Sequence, residues 1–181
     1  MHRDIYRLRE NVYRFAQEKI ISMLENEKIL EIGPMQIENF SFPEFFIDMR
    51  KELTKNNNEY FACDIEKRDG IDVVINAIHL LDHFAERTFD SIIALEVLEH
   101  ISEPFIMPEI FYILLKPKGK IYISTPFYFL WHDPRPDYWR FSEDGLRYLF
   151  TGLFDIEIKP LLHFGDDGRT PIHHTLVGIK K

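Results

Sequence analysis

Glu31 and Asp64 each stand at the end of a short apolar run, Lys28-Ile29-Leu30-Glu31-Ile32-Gly33 and Glu59-Tyr60-Phe61-Ala62-Cys63-Asp64. Such runs have the character of buried parallel strands whose tips open onto a ligand. Glycine at position 33 lets the backbone turn sharply and approach that ligand with no Cβ in the way. Asp64 offers two acceptor oxygens, which suits a ribose diol. Two adjacent strand tips would then hold one nucleoside.

Other chemistries find less support. The His and Cys spacing offers no zinc set, and His173-His174 falls in a predicted strand, where successive side chains point to opposite faces. No Walker loop is present, no Gly-x-Gly-x-x-Gly follows Glu31, and no serine elbow occurs.

The elements that would position these residues follow from periodicity and turn signals. From Asp4 to Glu25, Ile5, Leu8, Val12, Phe15, Ala16, Ile20, Met23 and Leu24 recur at helical spacing, with Arg7, Arg9, Arg14 and Lys19 among the polar positions. This opening amphipathic helix, within residues 1–26, either packs on a sheet with a basic face in solvent or closes as a lid. Ser41-Phe42-Pro43-Glu44 has capping-box spacing, with Phe40 and Phe45 placed for a staple, and predicts a helix from Phe42 to Leu53. Pro34 to Phe40 is then a loop that folds over a ligand or simply connects. Strands are predicted at Ile71–Ile75, Phe89–Leu95 and Lys120–Thr125, a helix between Glu103 and Lys116, and a turn at Lys116-Pro117-Lys118-Gly119. Residues 127–141 form a connection too apolar and aromatic to be an idle solvated loop. Ser142 caps a helix of Glu143 to Thr151, closed by Gly152, and two last strands, Phe154–Leu162 and Pro171–Ile179, flank the turn Gly165-Asp166-Asp167-Gly168. Strands alternating with helices, then a closing strand pair, predict an α/β fold: an open, mostly parallel sheet with helices on both faces.

At 181 residues the chain is most simply one domain, long enough to fold without disulfides or a structural metal. A net charge of -8 argues against general affinity for nucleic acid or an anionic bilayer. Cys63, the single cysteine, allows no internal disulfide and reads as a core residue of a reducing compartment. No apolar run approaches the roughly 20 residues of a membrane span. The charged start Met1-His2-Arg3-Asp4 leads into no secretory apolar core, so the expected location is cytoplasmic.

Glu96-Val97-Leu98-Glu99-His100 closes the fourth predicted strand, and with it the chain resembles class I S-adenosylmethionine-dependent methyltransferases, in particular small ones of the type 11-like group. The same order of signals continues through Leu30-Glu31-Ile32-Gly33-Pro34, Asp64, Asn76-Ala77, Phe89-Asp90, Leu115-Lys116-Pro117-Lys118-Gly119 and Ile123-Ser124-Thr125-Pro126, from about Ile29 to Phe150. The resemblance implies a Rossmann-like, doubly wound seven-stranded sheet in the order 3-2-1-4-5-7-6, with the seventh strand antiparallel, and S-adenosyl-L-methionine as cofactor. Glu31, Gly33 and Pro34 would shape the loop around its methionine part. Asp64 with Ile65 would take the ribose side, Asn76 and Ala77 would lie beside the adenine, and Glu96 and Val97 would line the floor under the sulfonium. Met35 and Ile37 stand where the family commonly has glycines, which calls for a wider loop.

Methyl transfer from a sulfonium is an in-line displacement, so the protein mainly aligns the partners in a dry pocket. A base helps only where the nucleophile has a proton to lose, and the candidates are His132, His100 and Asp137. His100 either acts there or holds the Glu96 loop. Asp137-Tyr138-Trp139-Arg140-Phe141-Ser142 resembles a segment of methyltransferases of sugar and cell-surface glycan pathways. Trp131, Tyr138 and Trp139 would stack on an acceptor and Arg140 with Asp137 would fix its hydroxyls, unless the aromatics pack among themselves and the two charges pair. The expected function is O-methylation of a small molecule or glycan precursor by a monomer or homodimer. The alternatives are a non-catalytic binding or assembly module of the same fold, and a methyltransferase acting on protein or RNA.

Overall fold

The computed structural model describes residues 10–34, 47–131, 134–162 and 170–181. Seven strands, β1 (Lys28–Ile32), β2 (Glu59–Asp64), β3 (Val73–Val74), β4 (Phe89–Leu95), β5 (Leu115–Pro126), β6 (Phe154–Leu162) and β7 (Pro171–Lys180), form one sheet. Its order is β3-β2-β1-β4-β5-β7-β6, with β7 antiparallel to both its neighbours and the pairings from β3 across to β5 parallel. The predicted strand order and the antiparallel seventh strand are both observed.

Side-chain alternation divides the core in two. On one face Leu30, Ile32, Ile92, Ala94, Ile121 and Ile123 pack under α3 (Leu80–His83), α4 (Met107–Leu114) and α5 (Glu143–Phe150). On the other, Ile29, Tyr60, Ala62, Ile93, Leu95 and Tyr122 pack under α1, helical through residues 10–21, and α2 (Met49–Thr54). Central strands covered on both sides explain their near-continuous apolar runs. Cys63 is buried, and its thiol is pushed up to about 12 by that burial.

Several boundaries differ from expectation, each for a local reason. Within α1 the stretch Ala16–Ile21 is π-helical, a change of pitch that apolar spacing does not encode, and the helix is over by Ser22; the segment Asp4 to Arg9 lies outside the described residues. The Ser41 capping box and the Met35/Ile37 loop also lie outside them. The described helix there begins only at Met49, because Asp48 is extended (φ -75°, ψ 92°) and its side chain accepts from Lys51 N–H at 2.9 Å. A continuous helix from Phe42 to Leu53 is therefore ruled out. β3 is cut to two residues: Asp72 Oδ2 accepts from Ala62 N–H at 2.8 Å and replaces a ladder bond. Asn76, which the sequence places just after the third strand, caps a 3-10 turn, Ala77–His79, leading into α3. The helix after Glu103 is α4, entered through a 3-10 turn at Pro104–Ile106.

The Lys116–Gly119 turn is absorbed into β5. Pairing passes from Phe89↔Leu115 to Ser91↔Lys120, so that Asp90 alone faces four residues, and Lys118 takes φ 65°. Ser142 caps α5 by accepting from Gly145 N–H at 3.1 Å, as its position predicts. Lys180, at the end of β7, reaches the last turn of α4 and donates to the carbonyls of Tyr112 (2.6 Å) and Leu115 (2.7 Å). Its ammonium satisfies acceptors that the helix terminus leaves open.

Candidate active site at the strand tips

The parallel strands all end on one edge of the sheet, where α/β folds bind ligands. Register places Ile32 beside Cys63, and therefore Gly33 one step beyond, level with Asp64. Gly33 has φ +62°, and a Cβ there would lie 2.9 Å from Val97 Cγ2, so both the turn and the close approach of the β4 loop require glycine. Gly33 N–H closes the tip by donating to Cys63 O at 2.8 Å. Pro34, the last described residue of this turn, is half-buried.

The two strand-end acids have different surroundings. Asp64 is buried, with Oδ1 accepting from Glu66 N–H at 3.0 Å and Oδ2 paired with the Arg68 guanidinium. Arg68 holds the carboxylate in place, and each oxygen keeps a further lone pair for a hydroxyl. Beside it Ile65 is 68% exposed, an apolar face laid open next to a buried carboxylate, and Asn76 is exposed while Ala77 is buried. Glu31 points to the α1 side, where the Tyr60 hydroxyl donates to its Oε2 and the Arg50 guanidinium stacks 4.7 Å from the Tyr60 ring. Burial is the main cause that raises its pKa to about 7. A small cavity of about 20 Å³ adjoins it, lined by Val12, Tyr13, Ala16, Ile47, Met49 and Leu95.

The end of β4 is strained. Glu96 is buried at φ 55°, its N–H donates to Ser124 O (3.0 Å), and Ser124 Oγ donates to its Oε1 (2.7 Å). Val97 then turns into the 3-10 segment Leu98–His100. This segment anchors the aromatic connection: Glu99 O accepts from Tyr138 N–H (2.7 Å) and Trp139 N–H (3.2 Å), and His100 Nδ1–H donates to Pro136 O (2.8 Å). Trp139 Nε1–H donates to Ile101 O at 2.9 Å, and its ring meets Phe105 edge-on.

The candidates for proton transfer and acceptor binding separate accordingly. His132 lies outside the described residues. His100 is engaged with the connection it anchors. Asp137 has a fully buried side chain in a bidentate pair with Arg140, Oδ2 accepting from Nη2–H at 2.7 Å. Arg140 directs its other N–H groups to the carbonyls of Trp139, Phe129 and Leu130, so all five donors act within the chain. The pair clasps the connection and leaves neither charge positioned for an acceptor. Trp131 and Tyr138 are exposed at 66% and 52%, with the Arg135 guanidinium stacked on Trp131, and Trp139 is half-buried.

Two polar residues that sequence reasoning did not assign belong to this region. His173 on β7 brings Nε2 to 3.0 Å from Glu96 Oε2, and Tyr60 shares a proton-bearing contact with Glu31. A histidine pair inside an otherwise apolar strand was the available signal for the first. Among the described residues no cluster of three or more His, Cys, Asp or Glu could hold a metal ion, and no described helix is long and apolar enough to cross a membrane.

The sequence matches no family model and no curated protein. Solved structures do resemble it. A SAM-dependent methyltransferase from Archaeoglobus fulgidus aligns over 95% of this chain and 94% of its own, with a TM-score of 0.68 and 15% identity. Burkholderia thailandensis 1,6-didemethyltoxoflavin-N1-methyltransferase, solved with 1,6-didemethyltoxoflavin and S-adenosylhomocysteine, aligns over 99% of this chain and 80% of its own at TM-score 0.62 and 15% identity. The [4+2]-cyclase SpnF aligns over 94% of this chain and 80% of its own at TM-score 0.65 and 13% identity. In strand order, in the antiparallel seventh strand and in similarity over nearly its whole length, the chain has the fold of the class I S-adenosylmethionine-dependent methyltransferases.

Proposed function

We propose that the chain binds S-adenosyl-L-methionine at the tips of β1, β2 and β4 and transfers its methyl group to a hydroxyl of a small molecule or glycan precursor. The observation that carries this reading is the pairing of Gly33, at φ +62°, with the buried, still acceptor-competent Asp64 on adjacent strand tips in the class I order. The local donor set fits the cofactor. Asp64 takes ribose hydroxyls, the exposed Ile65 with Asn76 and Ala77 borders the adenine, Gly33 and Pro34 leave room for the methionine chain, and Glu31 offers a carboxylate to its ammonium. Glu96 and Val97 form the floor between that chain and the acceptor. Bound there, the cofactor supplies a methyl group already activated on sulfonium; alignment and exclusion of water fall to the protein.

A small acceptor agrees with the acidic balance of the chain, and the exposed Trp131 and Tyr138 at the mouth of the site offer it stacking faces. We place the protein in the cytoplasm as a monomer or homodimer. Calorimetric titration with S-adenosylmethionine and S-adenosylhomocysteine, with Asp64→Ala alongside, tests the cofactor site. Micromolar binding lost in the variant supports it; binding that survives Asp64→Ala rejects the ribose assignment, and a folded protein that binds neither ligand rejects the enzyme. The similarity to a cyclase gives a second reading, in which the fold holds a ligand without methyl transfer. Tight cofactor binding with no S-adenosylhomocysteine formed across a panel of hydroxyl acceptors favours that reading.

A further inference from the structure

Beneath the aromatic connection, polar side chains from three neighbouring strands meet out of reach of solvent. Glu96, Ser124, Thr125 and His173 are all buried, the last three completely. His173 Nε2 stands 3.0 Å from Glu96 Oε2, while Glu96 Oε1 is held by Ser124 Oγ. Neither ring nitrogen of His173 nor Thr125 Oγ1 makes a hydrogen bond among the described residues, so the approach of Nε2 to Glu96 is a charge contact by distance alone. Each unmatched buried polar atom works against folding, and so does the left-handed backbone at Glu96. An aliphatic residue at 173 would remove the first penalty. A histidine with unmatched ring nitrogens in that place points to chemistry.

The arrangement has the parts of a general base, an imidazole with a carboxylate close enough to stabilise its imidazolium form. Neighbouring elements leave this role to His173. His174, next on β7, turns to Phe127 and the Phe141 backbone. Asp137 and Arg140 are closed on each other, and Glu99 and His100 anchor the connection. Phe129 covers the His173 ring, with centroids 4.9 Å apart, and is itself only half-buried. It is the side chain that an acceptor's ring or sugar face would replace.

We propose that His173, with Glu96 beside it, takes the proton of the methyl acceptor, which is therefore a neutral hydroxyl rather than an already ionised group. The proposal rests on the methyltransferase reading. As the acceptor oxygen bonds to the methyl carbon, the carbon–sulfur bond breaks and its electron pair stays on sulfur. The hydroxyl proton passes to His173 Nδ1, and the positive charge lost by sulfur reappears on the imidazole, where the Glu96 carboxylate offsets it.

The test is an imidazole NMR titration of the full chain, with the His173 signals assigned from His173→Gln, under saturating S-adenosylhomocysteine and then S-adenosylmethionine. Only the second ligand carries a sulfonium charge. An imidazole next to the transfer point then loses its proton more readily, so the His173 midpoint falls by about one pH unit between the two. Glu96→Gln lowers it further with either ligand. A midpoint that ignores the exchange, with both ligands shown bound by calorimetry, overturns the proposal, as does one that ignores Glu96→Gln. If neither ligand binds, it is the methyltransferase reading that fails.

Discussion

Glu31 shows how a single buried group ties stability to function. Burial raises its pKa from 4.5 to about 7, so the fold prefers the protonated acid. Below pH 4.5 the folded and unfolded chains both carry this proton, and the burial penalty is absent. As pH rises from 4.5 to 7 the unfolded chain ionises first, and stability falls by about 1.4 kcal/mol per unit, about 3 kcal/mol in all. Glu31→Gln keeps an acceptor for the Tyr60 hydroxyl without the charge. It is expected to be more stable than the wild type at pH 8, with the advantage gone at pH 4, in urea midpoints measured at both. If Glu31 has the proposed cofactor role, the same variant should lose cofactor affinity, because the carboxylate that destabilises the fold is the one proposed to meet the ammonium. Parallel pH profiles for the two proteins would remove Glu31 as the cause. Gly33 gives a second prediction at this scale. Gly33→Ala meets both a left-handed backbone, at about 1–2 kcal/mol, and the Val97 side chain. Adding Val97→Ala should recover the steric part only, leaving a residual cost of that size in a double-mutant cycle.

At the scale of elements, the connection over the site behaves as a built part. The Asp137 side chain is fully buried and that of Arg140 is 26% exposed, and their bidentate pair is joined by carbonyls from both ends of the segment. Arg140→Met leaves a buried carboxylate without its counter-ion, and such losses cost about 3–5 kcal/mol; the partial exposure of Arg140 moves the expectation to the lower end. Asp137→Asn in the same chain should restore most of it. Hydrogen exchange at the Tyr138 and Trp139 amides, bonded to Glu99 O, should accelerate in the single variant and slow again in the double. Unchanged protection in Arg140→Met would show that the clasp holds nothing. The sequence reveals the aromatic character of this segment but not the clasp. Asp137 and Arg140 are three residues apart, and whether their charges face each other or a ligand depends on carbonyls brought round by the chain. The same limit applies to β5, whose Lys116–Gly119 turn reads as punctuation although pairing with β4 continues on both sides of it. Where an element is set by its own residues, as with Ser142 capping α5, reading and structure agree.

For the molecule as a whole, the strands were legible because buried parallel strands impose continuous apolar runs and their tips carry polar residues, whereas their order followed only from the family resemblance. Glu31, Asp64 and Glu96 all announce themselves in that way. His173 does not, because only the antiparallel return of β7 beside β5 brings it to Glu96. The proposed cofactor site likewise draws on loops after β1, β2, β3 and β4, so a ligand bound there would tie most of the sheet together. Binding to the folded state alone stabilises by RT ln(1 + [L]/Kd), about 2.7 kcal/mol at a hundredfold excess over Kd. For a chain of this length each kcal/mol raises Tm by about 2–4 °C. S-adenosylhomocysteine at that excess is therefore expected to raise Tm by about 5–10 °C. Lys180→Met, which uncaps α4 on the far side of the sheet from Glu31, should lower the starting Tm yet leave the ligand-induced rise intact. Asp64→Ala should do the reverse, with a small change in the ligand-free Tm and most of the rise lost. Differential scanning of the three proteins separates the alternatives: equal rises in all of them would place the ligand away from Asp64, and a rise abolished by Lys180→Met would mean that the site depends on packing far from the strand tips.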